Sequence, residues 1–115
     1  MIVERVELTV VGGREGDFEA ALLDVRQGLV MAAGFRGFTA AQGVDDPSTY
    51  LIQVLWETVD EHVGFARSGR RERCWAPVGP LLAGSPRAQL FAERDGLTFR
   101  GPGVITDWSG LSYRP

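Results

Sequence analysis

The 115-residue sequence contains no lysine and no asparagine, and it holds one cysteine and one histidine. Without lysine, neither a Schiff base nor a phosphate-loop lysine can form. Without asparagine, N-glycosylation and any chemistry resting on an asparagine amide are excluded. Cys74 alone permits no intrachain disulfide, which fits a reducing, cytoplasmic setting. One His and one Cys cannot build the usual zinc sites, and no HExxH or paired-cysteine spacing occurs. No metal site is therefore expected. A serine triad lacks support as well, since His62 is the sole imidazole and no G-x-S-x-G turn exists.

Long apolar runs are also missing, and nothing approaches the roughly 20 residues of a membrane span. Residues 1–11 alternate charged and apolar side chains instead of forming the apolar stretch of a leader. The net charge of −3 leaves no electrostatic footprint for nucleic acid or an anionic membrane. Arg70, Arg71 and Arg73 are clustered but interleaved with Glu72, the pattern of a solvated surface. The glycines at 12, 13 and 16 miss the dinucleotide-binding spacing and read as a turn. A chain of this length with 44% hydrophobic residues makes one globular domain.

What is present is periodic. Ile2, Val6, Leu8 and Val10 alternate with Val3, Arg5, Glu7 and Thr9, as in a half-buried strand. Phe18, Ala21, Leu22, Val25, Leu29 and Ala32 then recur at helical spacing, with Asp17 as the expected N-cap and Gly34 as the C-cap glycine. Residues 35–43 read as a second strand, and Asp45-Asp46-Pro47-Ser48 as a turn. The third strand spans 50–57. Its two faces, Tyr50/Ile52/Val54/Trp56 and Leu51/Gln53/Leu55/Glu57, are both largely apolar, so both need cover. One helical layer covers one face, which predicts a second subunit on the other.

Thr58 and Glu61 form a capping box that starts a helix from Val59 to about Ser68. On a helical wheel Val59, His62, Val63, Phe65 and Ala66 share one face, with Asp60, Glu61, Gly64 and Arg67 opposite. A further helical stretch over 71–82 is broken by Pro77 and Pro80, and 87–93 alternates as a fourth strand. The fold class is α+β: a ferredoxin-like β-α-β-β-α-β order with an antiparallel sheet. Residues 95–115 form a C-terminal extension. Trp108, Leu111 and Tyr113 make it too apolar for a free tail, and it is expected to pack on the core or on a partner subunit.

The segment from Trp56 through Glu57, Thr58, His62, Gly64, Phe65 and Ser68 resembles the signature of the antibiotic biosynthesis monooxygenase superfamily. Trp75, Pro77, Gly79 and Pro80, the run from Gly16 to Leu22, and Gly34-Phe35 extend the resemblance over residues 1–94. It implies a homodimer in which two four-stranded sheets face each other as a dimeric α/β barrel. Among relatives are cofactor-independent oxygenases of aromatic polyketides and quinols, and haem-degrading enzymes. The haem-degrading members use an Asn, a Trp and a ligand His. This chain has no Asn, and it has Phe65 and Trp75 where that Trp and that His would fall.

The resemblance thus implies a cofactor-independent monooxygenase-like protein acting on a small aromatic, polyketide or quinol metabolite. In it His62 is the candidate proton acceptor, and Trp56, Tyr50, Phe65 and Trp75 are candidate substrate-binding residues. Each has a plainer reading: His62 as a hydrogen-bonded core histidine, the aromatic residues as packing, and Cys74 as a small buried residue. The alternative function is a non-catalytic dimeric domain that binds a small apolar or aromatic molecule, or one whose pocket its own side chains fill.

Overall fold

Alternation at the start of the chain becomes an edge-to-centre ladder in the computed structural model, which describes residues 1–99. Strands β1 (Ile2–Thr9), β2 (Phe35–Gln42), β3 (Thr49–Trp56) and β4 (Arg87–Ala92) form one antiparallel sheet in the order β2-β3-β1-β4. Helices α1 (Glu15–Val30), α2 (Val59–Arg67) and α3 (Arg70–Trp75) connect them. The arrangement is the ferredoxin-like α+β fold, in which β3 sits between the two strands that α1 joins.

The register explains the core. Ile2 pairs with Trp56, Glu4 with Val54, Val6 with Ile52 and Leu8 with Tyr50, so these residues share one face of the sheet. Phe18, Ala21, Leu22, Val25 and Leu29 of α1 are buried with Val6, Leu8, Ile52, Val54 and Trp56 in a single cluster. A period of 3.6 on the helix thereby meets a period of 2 on the strands. A side chain such as Leu29, 1% exposed, costs about 2–5 kcal/mol when cut to Ala.

Several boundaries differ from the sequence reading for local reasons. Helix α1 begins at Glu15 rather than after an Asp17 cap, with Arg14 in the N-cap position. Asp17 instead pairs with Arg14 Nε at 2.7 Å, and Glu15 accepts a hydrogen bond from the Gly13 N–H, so both carboxylates sit in the first turn. The helix ends at Val30, four residues before Gly34. Gly34 has φ +81°, and a Cβ there would collide with the Glu61 side chain, so it serves the entry to β2. Arg36 is the extra residue of a β-bulge between Phe35 and Gly37, and its Nε lies 2.7 Å from Glu57. The Thr58 cap holds as expected, its hydroxyl accepting from the Glu61 N–H at 3.2 Å. Val59 leaves the wheel's apolar face: at the first position of α2 it is 45% exposed.

The second face of the sheet is open. Gly37, Leu55, Val3 and Phe91 form one row across all four strands, Thr39, Gln53, Arg5 and Gln89 the next, and Ala41, Leu51, Glu7 and Arg87 a third. No described helix lies on that side. Residues 108, 111 and 113, on which the packing of the extension was expected to rest, lie outside the described residues. Residues 95–97 form a single 3-10 turn, and Leu97 and Phe99 are exposed. No helix among the described residues is long and apolar enough to cross a membrane.

At the far end of β3 from Trp56, Tyr50 stacks on Phe18 and donates its hydroxyl to Glu19 at 2.6 Å. Burial, that hydrogen bond and the charges of Glu19 and Glu15 push its phenol far above the ordinary value. The folded chain therefore binds this proton more tightly than the unfolded chain. The resulting stability is complete below about pH 10 and is lost as pH rises beyond it. In a Tyr113→Phe variant, where Tyr50 is the one tyrosine left, tyrosinate absorbance should appear together with alkaline unfolding. Ionisation near pH 10 in a still-folded protein would contradict this account.

Candidate active site

Trp56 closes β3 and is fully buried. Its ring meets Phe35 edge-on at 6.4 Å, His62 edge-on at 5.8 Å and Phe65 at 5.4 Å. An indole at this depth needs an acceptor for its N–H. Glu4 supplies it: Oε1 accepts from Trp56 Nε1 at 3.0 Å. The second carboxylate oxygen of Glu4 lies 3.4 Å from His62 Nε2. Both side chains are nearly buried, 10% exposed for Glu4 and 14% for His62.

The arrangement follows from the chain. Glu4 occupies an inward position of β1, one strand over from Val54. Thr58 starts α2 immediately after β3, so one helical turn later His62 faces back over Trp56. A carboxylate opposite Nε2 favours the tautomer that carries its proton there. His62 Nδ1 is buried and has no hydrogen-bond partner, which agrees with a bare lone pair at that nitrogen.

Glu4 also lines an apolar cleft of about 440 Å³ between the sheet and the α2–α3 layer. Val6, Leu8, Val78, Leu82, Trp75 and Ala88 make its walls, and Arg71 and Glu72 stand at its exposed mouth. The volume falls in the range of small-molecule sites, roughly 300–1,000 Å³. Among the described residues no side chain pairs with Arg71. The cleft opens because β4, the edge strand beside β1, is exposed along its whole length and no helix among the described residues covers it.

The five residues singled out from the sequence thus fall in four places. His62 and Trp56 lie together around Glu4, behind the cleft and not on its wall. Trp75 lines the cleft itself. Phe65 backs Trp56 and faces a separate hollow beside Cys74 and Arg70. Tyr50 stands apart, six residues along β3 or about 20 Å from Trp56, in a groove with Glu19, Arg26 and Phe38. Cys74 packs as a small half-buried residue: its thiol donates to the Val25 carbonyl, lies against Gly28, and is pushed up by burial. Glu4 is the residue that the sequence reading passed over. Its signal was available, for it is the one charged residue among the inward positions 2, 4, 6, 8 and 10.

The family model for antibiotic biosynthesis monooxygenases matches residues 1–74. The chain belongs to this family. The match runs from β1 into α3, so it contains Glu4, Trp56 and His62, while Trp75 and β4 lie beyond it. A proposed antibiotic biosynthesis monooxygenase of Bordetella bronchiseptica is 32% identical, over 81% of this chain and 96% of its own, with a TM-score of 0.75. SnoaB, a cofactor-independent oxygenase of Streptomyces nogalater, superposes with a TM-score of 0.69 over 81% of this chain and 93% of its own. At 18% identity that likeness is one of fold. A Nitrosomonas europaea protein given the same family assignment has a TM-score of 0.70 at 16% identity, over 81% of this chain and 98% of its own. No curated protein sequence matches the chain.

Within this family member, the buried pair gives a direct expectation. Glu4→Ala strips the acceptor from the Trp56 N–H and leaves His62 without its carboxylate, at a cost of about 2–3 kcal/mol. Glu4→Gln keeps an acceptor oxygen and should cost clearly less. Denaturant unfolding compares the two, and exchange of the Trp56 indole N–H reports the lost bond. Equal stability of all three proteins would show that the carboxylate is not what holds Trp56.

Proposed function

We propose that this protein is a cofactor-independent monooxygenase acting on a small aromatic, polyketide or quinol metabolite, and that it works as a homodimer. The observation that carries the reading is the buried Glu4–His62 pair, whose Glu4 lines the apolar cleft. A carboxylate and an imidazole in contact, both largely buried, form a proton-accepting unit beside the apolar cleft. Loss of a proton makes a phenol or quinol electron-rich enough to reduce O₂ itself. A CH₂ then becomes C=O, or a quinol ring CH becomes C–OH while the quinol itself is oxidised to the quinone. In either case the second oxygen leaves as water and the substrate supplies all four electrons. The protein's part is to orient the ring between aliphatic walls and Trp75, and to take the proton.

The homodimer is supported by the open sheet face. Its Gly37–Leu55–Val3–Phe91 row is apolar across all four strands, and the neighbouring rows mix charged, amide and small side chains with Leu51. A second copy laid on this face would cover Leu51 and Leu55. Light scattering should therefore find a dimer, and Leu55→Asp should convert it to monomer while the circular dichroism spectrum persists. A monomeric wild type would remove the dimer from the proposal.

Oxygen uptake with a panel of hydroquinones and anthrones, in the presence of a metal chelator, tests the reaction. The wild type should consume one O₂ per substrate, and His62→Ala should lose about 100-fold in rate while remaining folded. Ligand binding without oxygen uptake across the panel would instead make the protein a small-molecule-binding dimer.

A further inference from the structure

We infer that Glu4, rather than His62, is the group that meets the hydroxyl of the bound substrate, and that His62 is a positioning residue acting through it. The assignment rests on the cleft being the substrate site. Glu4 forms part of the cleft wall, whereas His62 does not. Each Glu4 oxygen has one partner on the protein, Trp56 Nε1 at 3.0 Å and His62 Nε2 at 3.4 Å. A carboxylate offers about four acceptor directions, so lone pairs remain to accept from a ligand O–H in the cleft. His62 has no such freedom: Nε2 is taken by Glu4, and Nδ1 is buried away from any polar partner.

Proton transfer then has a defined route. In the resting complex the proton stays on the substrate. As O₂ takes electrons the substrate O–H bond breaks, an O–H bond forms at a Glu4 oxygen, and the electron pair stays on the substrate oxygen. The imidazole edge fixes the carboxylate rotamer and shares its charge. Few other groups compete. The titratable or charged residues facing Glu4 are His62 from α2 and, at the cleft mouth, Arg71 and Glu72 from α3. Its strand neighbours, Val54 on β3 and Leu90 on β4, are apolar. The substrate class this favours is an aromatic with a hydroxyl directed inward and no inward-facing anion, because a second negative charge beside Glu4 is disfavoured.

4-Nitrophenol is the probe, since its colour reports its ionisation state and it needs no turnover. A carboxylate that accepts from its hydroxyl disfavours the phenolate, so dye bound to the wild type should stay neutral at a pH where free dye is ionised. Glu4→Gln should return the bound dye to the ionisation of free dye and lower any turnover by about 10³-fold. His62→Gln should leave the bound dye neutral, move the pH profile of turnover, and cost less rate than Glu4→Gln. Ala88→Trp plugs the cleft from the exposed edge strand without touching the pair, and should weaken dye binding at least tenfold even if Glu4→Gln does not fold. The inference is overturned if the wild type does not bind the dye, if Ala88→Trp binds it unchanged, or if His62→Gln rather than Glu4→Gln abolishes the ionisation shift. The expected dye behaviour without oxygen uptake would defeat the monooxygenase reading and leave the role of Glu4 standing.

Discussion

The indole of Trp56 is the constraint on which the site depends. It sits where β1, β2 and β3 come into register, opposite Ile2 on one side and Phe35 on the other. Its ring is the surface on which Phe65 and His62 of α2 pack. A fully buried donor in that position must be paired, and the acceptor it finds is a carboxylate. Burying Glu4 is expensive on its own, but the Trp56 hydrogen bond and the imidazole 3.4 Å away offset much of the cost. The polar cluster and the aromatic cluster are thus one structure seen from two sides.

That structure is asymmetric. Behind the carboxylate lie close-packed rings; in front lies a cleft with aliphatic walls. The difference arises from the helical layer, which covers β3 and β1 but leaves β4 bare on its edge. Among the described residues a gap in the helical cover, rather than any special loop, gives a small molecule access to Glu4 on the inner sheet face. The opposite face is open for a different reason. Its residues were never within reach of the helices, and its apolar row suits a flat partner rather than a small ligand.

Glycine placement and capping determine how accurately α2 presents His62. Gly34, with its positive φ, lets the chain enter β2 beneath Glu61, and Glu61 in turn completes the Thr58 cap. The start of α2 is therefore fixed from two directions, one of them far away in sequence. A few tenths of an ångström of drift at this cap would open the 3.4 Å contact between His62 and Glu4. The site is held by the same residues that hold the helix.

Strand alternation, helical spacing and the Thr58–Glu61 pair sufficed to specify the elements, their order and the two-sided apolar character of β3, because these features depend on neighbours within one or two turns. They also placed His62 on an inward face. The chain alone did not pair His62 with Glu4, since the two are 58 residues apart in number and meet only when β1 lies against β3. Nor did it separate Tyr50 from Trp56: both share a face, and only strand length puts one near the cleft and the other at its far end. Whether an inward aromatic packs or lines a cavity depends on what lies across from it. For Trp75 that is the uncovered edge of the sheet, and for Phe65 it is Trp56. Local pattern determined which side chains point inward; tertiary packing decided which of them meet a void, because a void is defined by the element that fails to fill it.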